Sequence, residues 1–246
     1  MEAAVQVGDV LIRREDSGEW SVVKVLAVDS WPDGAPLLHC LMYRATAEPP
    51  TPATVPSLEV LAYHAPLRPT AFRGDWSVLG SSPVIQGDLI GFHEYLKRVD
   101  FQRYLEATGQ DLETVLTRAN SHYAAGGELT LLRRYREAID EYTRATDLFP
   151  LFHEAIDRRG FNYMHLGDYR RALDDFDHSL HLNPDGEAAW FASGECLLRL
   201  GDLAEAEEVF ATGALDSTQY RDRHEQYLAR VRELRAEQSP PTAPCA

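Results

Sequence analysis

A repeat of 34 residues between positions 119 and 220 constrains the fold of this chain more than any other feature. Three sets of residues carry the period at the same spacing: Gly126, Gly160 and Gly194; Ala138, Ala172 and Ala206; Tyr142, Phe176 and Phe210. Tandem units of this length are pairs of helices, and each pair buries its apolar face only by stacking on its neighbours. The pattern therefore predicts a stack of three helical pairs.

The middle unit, residues 153–186, has the most complete set of packing and turn residues. Gly160 and Ala172 are small, as required where the two helices of a unit approach closely. Phe176 fills the space between layers, and Pro184 ends the second helix. In these residues and their spacing the unit resembles the tetratricopeptide repeat. The resemblance implies an all-α solenoid of three repeats.

The two outer units depart from this pattern. Residues 119–152 place Gly126 and Gly127 inside their first helix, where each glycine costs about 1 kcal/mol relative to alanine. Residues 187–220 carry Thr218 at the position where the other two units have proline. We expect the stack to end there, covered by an amphipathic helix that runs to residue 237.

The resemblance also implies a binding surface. In tetratricopeptide repeat proteins, ligands lie in a concave groove lined by the first helix of each repeat. Carried over position by position, the partner-binding candidates are Asn120, Tyr123, Glu154, Asp157, Arg158, Phe161, His165, Phe191, Glu195 and Arg199. Some family members hold a terminal carboxylate with Lys and Asn, but here those positions are Tyr123, Gly127 and Asp157, and only Arg158 fits. The alternative is a charged helix surface that faces only solvent.

Residues 1–83 show a different pattern, with short β-branched runs between turn residues. Four runs read as strands: 10–12, 19–28, 37–43 and 58–65. The first two, joined by Asp16-Ser17-Gly18, predict a hairpin. We expect a small barrel or sandwich near the SH3-like size, which makes the whole chain α+β. His39 and Cys40 are adjacent on a strand, so their side chains leave from opposite faces and do not share a metal.

This β region carries a second resemblance. The order of Gly8-Asp9-Val10, residues 20–28, residues 39–43, residues 63–67 and Phe72 is similar to the β domain of a group of uncharacterised bacterial proteins. Some of these resemble immunity proteins of polymorphic toxin systems. The resemblance implies an alternative function, in which an acidic surface masks a basic toxin.

Between the two regions, residues 84–110 change to helical spacing. Apolar residues recur every three to five positions, with a kink expected near Asp100 and a C-terminal cap at Gly109. Asp111 is expected to start the next helix. We expect this helical bridge to pack between the β domain and the repeats of residues 111–237, whereas residues 238–246 form a disordered, Pro-rich tail.

Charge and composition narrow the class of partner. A formal charge of −15 makes nonspecific binding to nucleic acid or to an anionic membrane unlikely and favours a basic protein partner. No stretch reads as a secretion signal or a membrane span, so the expected location is the cytoplasm. Cys40, Cys196 and Cys245 have no short spacing and are expected to be reduced thiols.

No catalytic or cofactor motif is found in the sequence. His178 and His181, with Asp174 or Asp177, have a spacing that could chelate a metal, but such pairs usually face solvent. We therefore predict no enzyme, no cofactor and no metal. The leading hypothesis is an adaptor or scaffold that binds a partner protein or peptide in the groove. The immunity protein is one alternative, and a metal protein or enzyme is another.

Overall fold

The computed structural model describes residues 5–31, 33–72 and 74–238. The chain divides after Gly109 into two compact units, and each is described by itself. The predicted tail and Cys245 lie outside the described residues. Of the helices within the described residues, none combines the length and apolarity that crossing a membrane requires.

The first unit is built on an antiparallel sheet of five strands. Their order across the sheet is β4-β3-β2-β1-β5, which leaves β4 and β5 at the edges. The strands are β1 (Asp9–Arg14), β2 (Trp20–Ser30), β3 (Pro36–Tyr43), β4 (Val60–Leu67) and β5 (Ser77–Ser81). The predicted hairpin is confirmed, because β1 pairs with β2 and Gly18 adopts a φ of 90° in the turn between them.

Both faces of the sheet are covered. One face packs beneath two helices, and its buried residues are Val10, Ile12, Val22, Leu26, Leu41 and Tyr43. The other face packs against the segment before β5, with Leu11, Val23, Val25, Leu38 and Cys40 against Phe72 and Trp76. Two-sided burial explains why β2 and β3 read as nearly continuous apolar runs rather than as alternating ones.

Two helices, α1 (Ile90–Val99) and α2 (Phe101–Thr108), follow the sheet in the same unit. They are separated at Asp100, whose side chain accepts a hydrogen bond from the Arg103 backbone N–H, and α2 ends at Gly109 with a φ of 65°. Gly91 allows α1 to lie directly on β4, since a Cβ there would come within 2.7 Å of Tyr63. These helices therefore pack on the sheet, as their apolar spacing requires.

The second unit contains seven helices among the described residues. They are α3 (Leu112–Leu131), α4 (Tyr135–Leu148), α5 (His153–His165), α6 (Tyr169–Leu182), α7 (Glu187–Leu200), α8 (Leu203–Asp216) and α9 (Arg221–Gln238). Helix α3 begins after Asp111, whose side chain accepts from the Thr114 backbone N–H at 2.8 Å. It continues without a break through Gly126 and Gly127.

The 34-residue period has a direct packing cause. In each pair of helices, an aromatic ring of the second helix lies against a glycine of the first. A Cβ at Gly126 would come within 2.8 Å of Tyr142, a Cβ at Gly160 within 2.9 Å of Phe176, and a Cβ at Gly194 within 2.7 Å of Phe210. All three rings are almost fully buried. The glycines are therefore required by close approach and not by an unusual backbone conformation.

The end of the third pair explains why Thr218 replaces proline. The Glu187 carboxylate at the start of α7 accepts from the Ser217 hydroxyl at 2.6 Å, from the Gln219 backbone N–H at 2.7 Å and from both the backbone N–H and the hydroxyl of Thr218. These donors lower the pKa of Glu187 to about 2, the Ser217 bond most of all. A proline at 218 would remove two of them.

The predicted α+β class is confirmed, with a β-rich first part and a helical solenoid after it. Closure of the sheet into a barrel is not confirmed, because β4 and β5 are edge strands in the described ladders. The strand β5 was not predicted, since Ser77–Ser81 has a glycine and no alternation. That residues 84–110 cover the open end of the repeats stays a prediction.

Candidate functional site

The side of α3, α5 and α7 that carries the ten predicted partner-binding residues is called here the groove face. Its members occupy equivalent positions in successive first helices, because α5 and α7 begin at residues 153 and 187, 34 residues apart. The structure divides them into an accessible group on α3 and α5 and a covered group on α7.

Most of the accessible group is open to solvent. Asn120, Glu154, Arg158 and His165 are exposed on α3 and α5. Glu154 has 56% of its side chain exposed, and its ion pair with the neighbouring His153 is long, at 3.5 Å. Arg158 has no ion pair within the described part of the chain. These charges are therefore available to a partner at little desolvation cost.

Two aromatic rings of the groove face are half-buried. Phe161 packs edge-on against Phe176, with ring centroids 5.0 Å apart, so part of its surface belongs to the core of the second repeat. Tyr123 lies 5.0 Å from Phe152, which immediately precedes α5. The sequence analysis missed Phe152, although its position just before the first helix of a repeat is a usable signal.

Asp157 is the most perturbed member of the group. Its Oδ1 atom is buried and has no hydrogen-bond partner within the described residues. Burial raises the pKa of Asp157, and the Ser179 hydroxyl and nearby His153 offset this only in part. A carboxylate with an unsatisfied buried oxygen is costly, and a donor supplied by a partner would relieve that cost.

The α7 members are covered by the terminal helix. Phe191 is only 2% exposed, and its ring centroid is 5.1 Å from that of Tyr227 in α9. Glu195 accepts a 2.7 Å hydrogen bond from the Tyr227 hydroxyl. We therefore remove Phe191 and Glu195 from the proposed contact surface, because α9 occupies the space in which a partner would bind. Arg199, near the end of α7, is exposed.

The first unit contains a cluster of polar residues that the sequence did not indicate. His39 is fully buried, and its Nε2 lies 2.9 Å from Asp29 Oδ2 while its Nδ1 lies 2.8 Å from His64 Nε2. Arg103 of α2 donates to the same Asp29 oxygen at 2.5 Å. Because Asp29 accepts from His39 Nε2–H, His39 Nδ1 must accept from His64 Nε2–H.

Phe92 and Tyr95 of α1 enclose both imidazoles, with ring centroids 4.6 to 5.8 Å away. Burial lowers the pKa of His39 and lowers the pKa of His64 to about 4. The two histidines are therefore neutral, and their hydrogen bonds join three strands to α2. No nucleophile lies in this network, so the arrangement is structural.

The remaining candidates do not form a chemical site. In the described part of the chain, no three His, Cys, Asp or Glu side chains are grouped so as to hold a metal ion, and this includes the surroundings of His178 and His181. Cys40 and Cys196 are fully buried, and burial raises the pKa of each thiol to about 12. As predicted, Cys40 packs on the face of the sheet opposite His39.

Comparison with known families identifies the repeats. Residues 159–220 match the family model of the tetratricopeptide repeat. The matched segment runs from α5 to the start of α9 and includes two of the three glycine and aromatic pairs. The resemblance found in the sequence is thereby confirmed for this segment.

Several solved structures are similar to about half of the chain. The first tetratricopeptide repeat domain of Spaghetti (RPAP3), bound to the HSP90 peptide SRMEEVD, is 22% identical and covers 49% of this chain and 95% of its own, with a TM-score of 0.45. The Sgt2 domain from Aspergillus fumigatus is 20% identical over 52% and 88%, with a TM-score of 0.44. The Yersinia enterocolitica type III secretion chaperone SycD, in complex with a YopD peptide, is 17% identical over 47% and 93%, with a TM-score of 0.44.

Proposed function

We propose that this protein, whose residues 159–220 are tetratricopeptide repeats, is a non-enzymatic interaction protein that binds a peptide segment of a partner on its groove face. The observation that carries the proposal is the accessible surface on α3 and α5. There Asn120, Glu154, Arg158 and His165 are exposed around the half-buried rings of Tyr123 and Phe161. Half-exposed aromatic rings with polar neighbours are typical of protein-binding surfaces.

The apolar core of the repeats is closed by their own helices, which supports the same reading. The glycine and aromatic pairs fill the interior of each unit, and α9 covers the last one. The rings of Tyr123 and Phe161 keep part of their surface accessible in spite of this. Their exposure is therefore not left over from an incomplete stack.

The HSP90 peptide held by one similar structure is not proposed as a ligand of this chain. Tyr123, Gly127 and Asp157 stand where a carboxylate-binding groove would carry Lys and Asn, and Arg158 alone could pair with an acidic terminus. An acidic peptide would meet Asp157 and Glu154 at the centre of the accessible surface, which is electrostatically unfavourable.

Site-specific photocrosslinking tests the proposal. A photoreactive phenylalanine analogue at Asn120 or at His165 should crosslink a partner protein in cell extract. The same analogue at Asp140 or Asp174, which are exposed on the second helices, serves as the matched control. We expect crosslinked partner only from the groove positions.

A charge reversal tests the same surface without a crosslinker. Arg158→Glu should weaken binding of the crosslinked partner, whereas Arg136→Glu, an equally exposed change on α4, should leave it intact. Equal crosslinking from groove and control positions, or equal effects of the two reversals, would show that the groove face is not the binding surface.

A further inference from the structure

The accessible groove face contains one place where aromatic rings and carboxylates come together. Phe152 precedes α5, Glu154 lies in its first turn, and Asp157 follows one turn later on the same side. The Tyr123 ring of α3 lies 5.0 Å from the Phe152 ring. Tyr123 and Asp157 hold the same position in successive repeats, and packed helices lie about 8–10 Å apart.

The carboxylates at this place are poorly compensated. Asp157 keeps one oxygen without a partner among the described residues, and its charge is partly removed from water. Glu154 pairs only with its neighbour His153, at 3.5 Å. Two negative charges on one helix face repel each other, so an added cation would be stabilised by both.

Arg158 is the nearest competing charge, and its effect is smaller. Arg158 is exposed, so water and salt screen its guanidinium. Asp157 is half-buried, where the effective dielectric constant is lower and its attraction for a cation is stronger. The balance of the two therefore favours a positive ligand at Asp157.

The aromatic rings add a second preference for the same ligand. Faces of tyrosine and phenylalanine rings attract cations, and the interaction strengthens where water is partly excluded. The aliphatic part of a lysine or arginine side chain also covers apolar ring surface. Acidic or purely apolar side chains would satisfy only the rings and leave the carboxylates unpaired.

We propose that Tyr123, Phe152, Glu154 and Asp157 form a subsite that binds a lysine or arginine side chain of the partner peptide. The proposal rests on the proposed function, because it names the chemistry that the groove face recognises. The name cation subsite is used for these four residues below.

Selection from a phage-displayed library of random twelve-residue peptides on the full-length protein tests the proposal. We expect the selected peptides to share a Lys or Arg at a fixed position. Replacing that residue in a synthetic peptide by norleucine or citrulline, which remove the charge and keep much of the shape, should weaken binding roughly tenfold.

Variants of the protein complete a double-mutant cycle with these peptides. Asp157→Asn with Glu154→Gln should cause a loss similar to that of the uncharged peptide, and the two losses together should be less than additive. Asp140→Asn, which removes one carboxylate from an exposed position on α4, is the control and should change nothing. Circular dichroism of each variant verifies that the helices are intact.

The outcomes separate this inference from the proposed function. Selected peptides without a shared cation, or losses that add fully in the cycle, would overturn the cation subsite while groove binding stands. Peptides that bind equally well to the Arg158→Glu variant and to a variant with Tyr123→Ala would overturn both. A shared cation with a coupled loss supports both.

Discussion

Gly126 and Gly127 are neighbours in α3, and the structure assigns them opposite responses to the same substitution. A methyl group at Gly126 would lie 2.8 Å from Tyr142 Cε1 and 2.9 Å from Cδ1, closer than carbon atoms pack. At Gly127 the nearest atom is the Tyr142 hydroxyl oxygen, at 3.9 Å, which is an ordinary contact. Alanine is therefore tolerated at one position and not at the other.

The expected magnitudes follow from two terms. Alanine is favoured over glycine in a helix by about 1 kcal/mol, and this gain applies to both positions. At Gly126 the clash must be relieved by moving a ring that is only 1% exposed, and overpacking of this kind costs about 1–3 kcal/mol. We therefore expect Gly126→Ala to destabilise the second unit by about 1–2 kcal/mol and Gly127→Ala to stabilise it by about 0.5–1 kcal/mol.

Urea denaturation followed by circular dichroism at the helical band measures both changes in free energy of unfolding. The paired design controls for general effects, because the two variants have the same composition and differ only by one position. Stabilisation by Gly126→Ala, or equal shifts of the two variants, would refute the packing explanation of the 34-residue period.

Three further predictions concern the contacts that hold each unit. Glu187→Gln or Thr218→Pro should speed amide hydrogen exchange in α9 while the amides of α4 stay unchanged, because the donors that join α7 to the start of α9 are lost or weakened. The pKa of His64 falls from 6.5 to about 4 on folding, so its contribution to stability is complete above pH 6.5 and is lost as the pH falls towards 4. Fluorescence-detected unfolding should show this loss, and His64→Gln, whose amide keeps a donor to His39, should reduce it. Cys40 and Cys196 should stay unlabelled by an alkylating reagent at pH 8 until the chain unfolds, as peptide mass mapping would show.

Each of these three has an opposing result. Unchanged exchange in α9 would mean that the Glu187 contacts do not hold the helix. Stability that is flat between pH 6.5 and 4, or that His64→Gln leaves equally acid-sensitive, would contradict the neutral state of the imidazole pair. Labelling of either buried thiol in the native protein would contradict its burial.

The helical half of the fold was predictable because its packing repeats. One glycine and aromatic contact recurs in three units, so the spacing alone located α3 to α8 and the helix that follows them. Local signals were also sufficient for some boundaries, as with Asp111 at the start of α3 and Gly109 at the end of α2. These signals act within a few residues and need no tertiary information.

The polar network of the first unit was not predictable for the opposite reason. Asp29, His39 and His64 lie on three strands, and bulges shift the register between them, so no spacing in the sequence brings them together. Arg103 joins them from a helix that follows the whole sheet. Only the pairing of strands, which is set by contacts distant in sequence, places these side chains within hydrogen-bond reach.

The error at Phe191 has a similar cause and changes where a partner is expected to bind. Helix α9 begins 34 residues after α7, at residue 221, and so takes the place of the first helix of a fourth repeat. Leu228 stands at its glycine position, where a further aromatic ring would need a glycine to approach closely. The stack therefore ends with α9, which covers Phe191 and Glu195 on α7. The groove face that remains accessible is formed mainly by α3 and α5, which are the two helices that carry the proposed cation subsite.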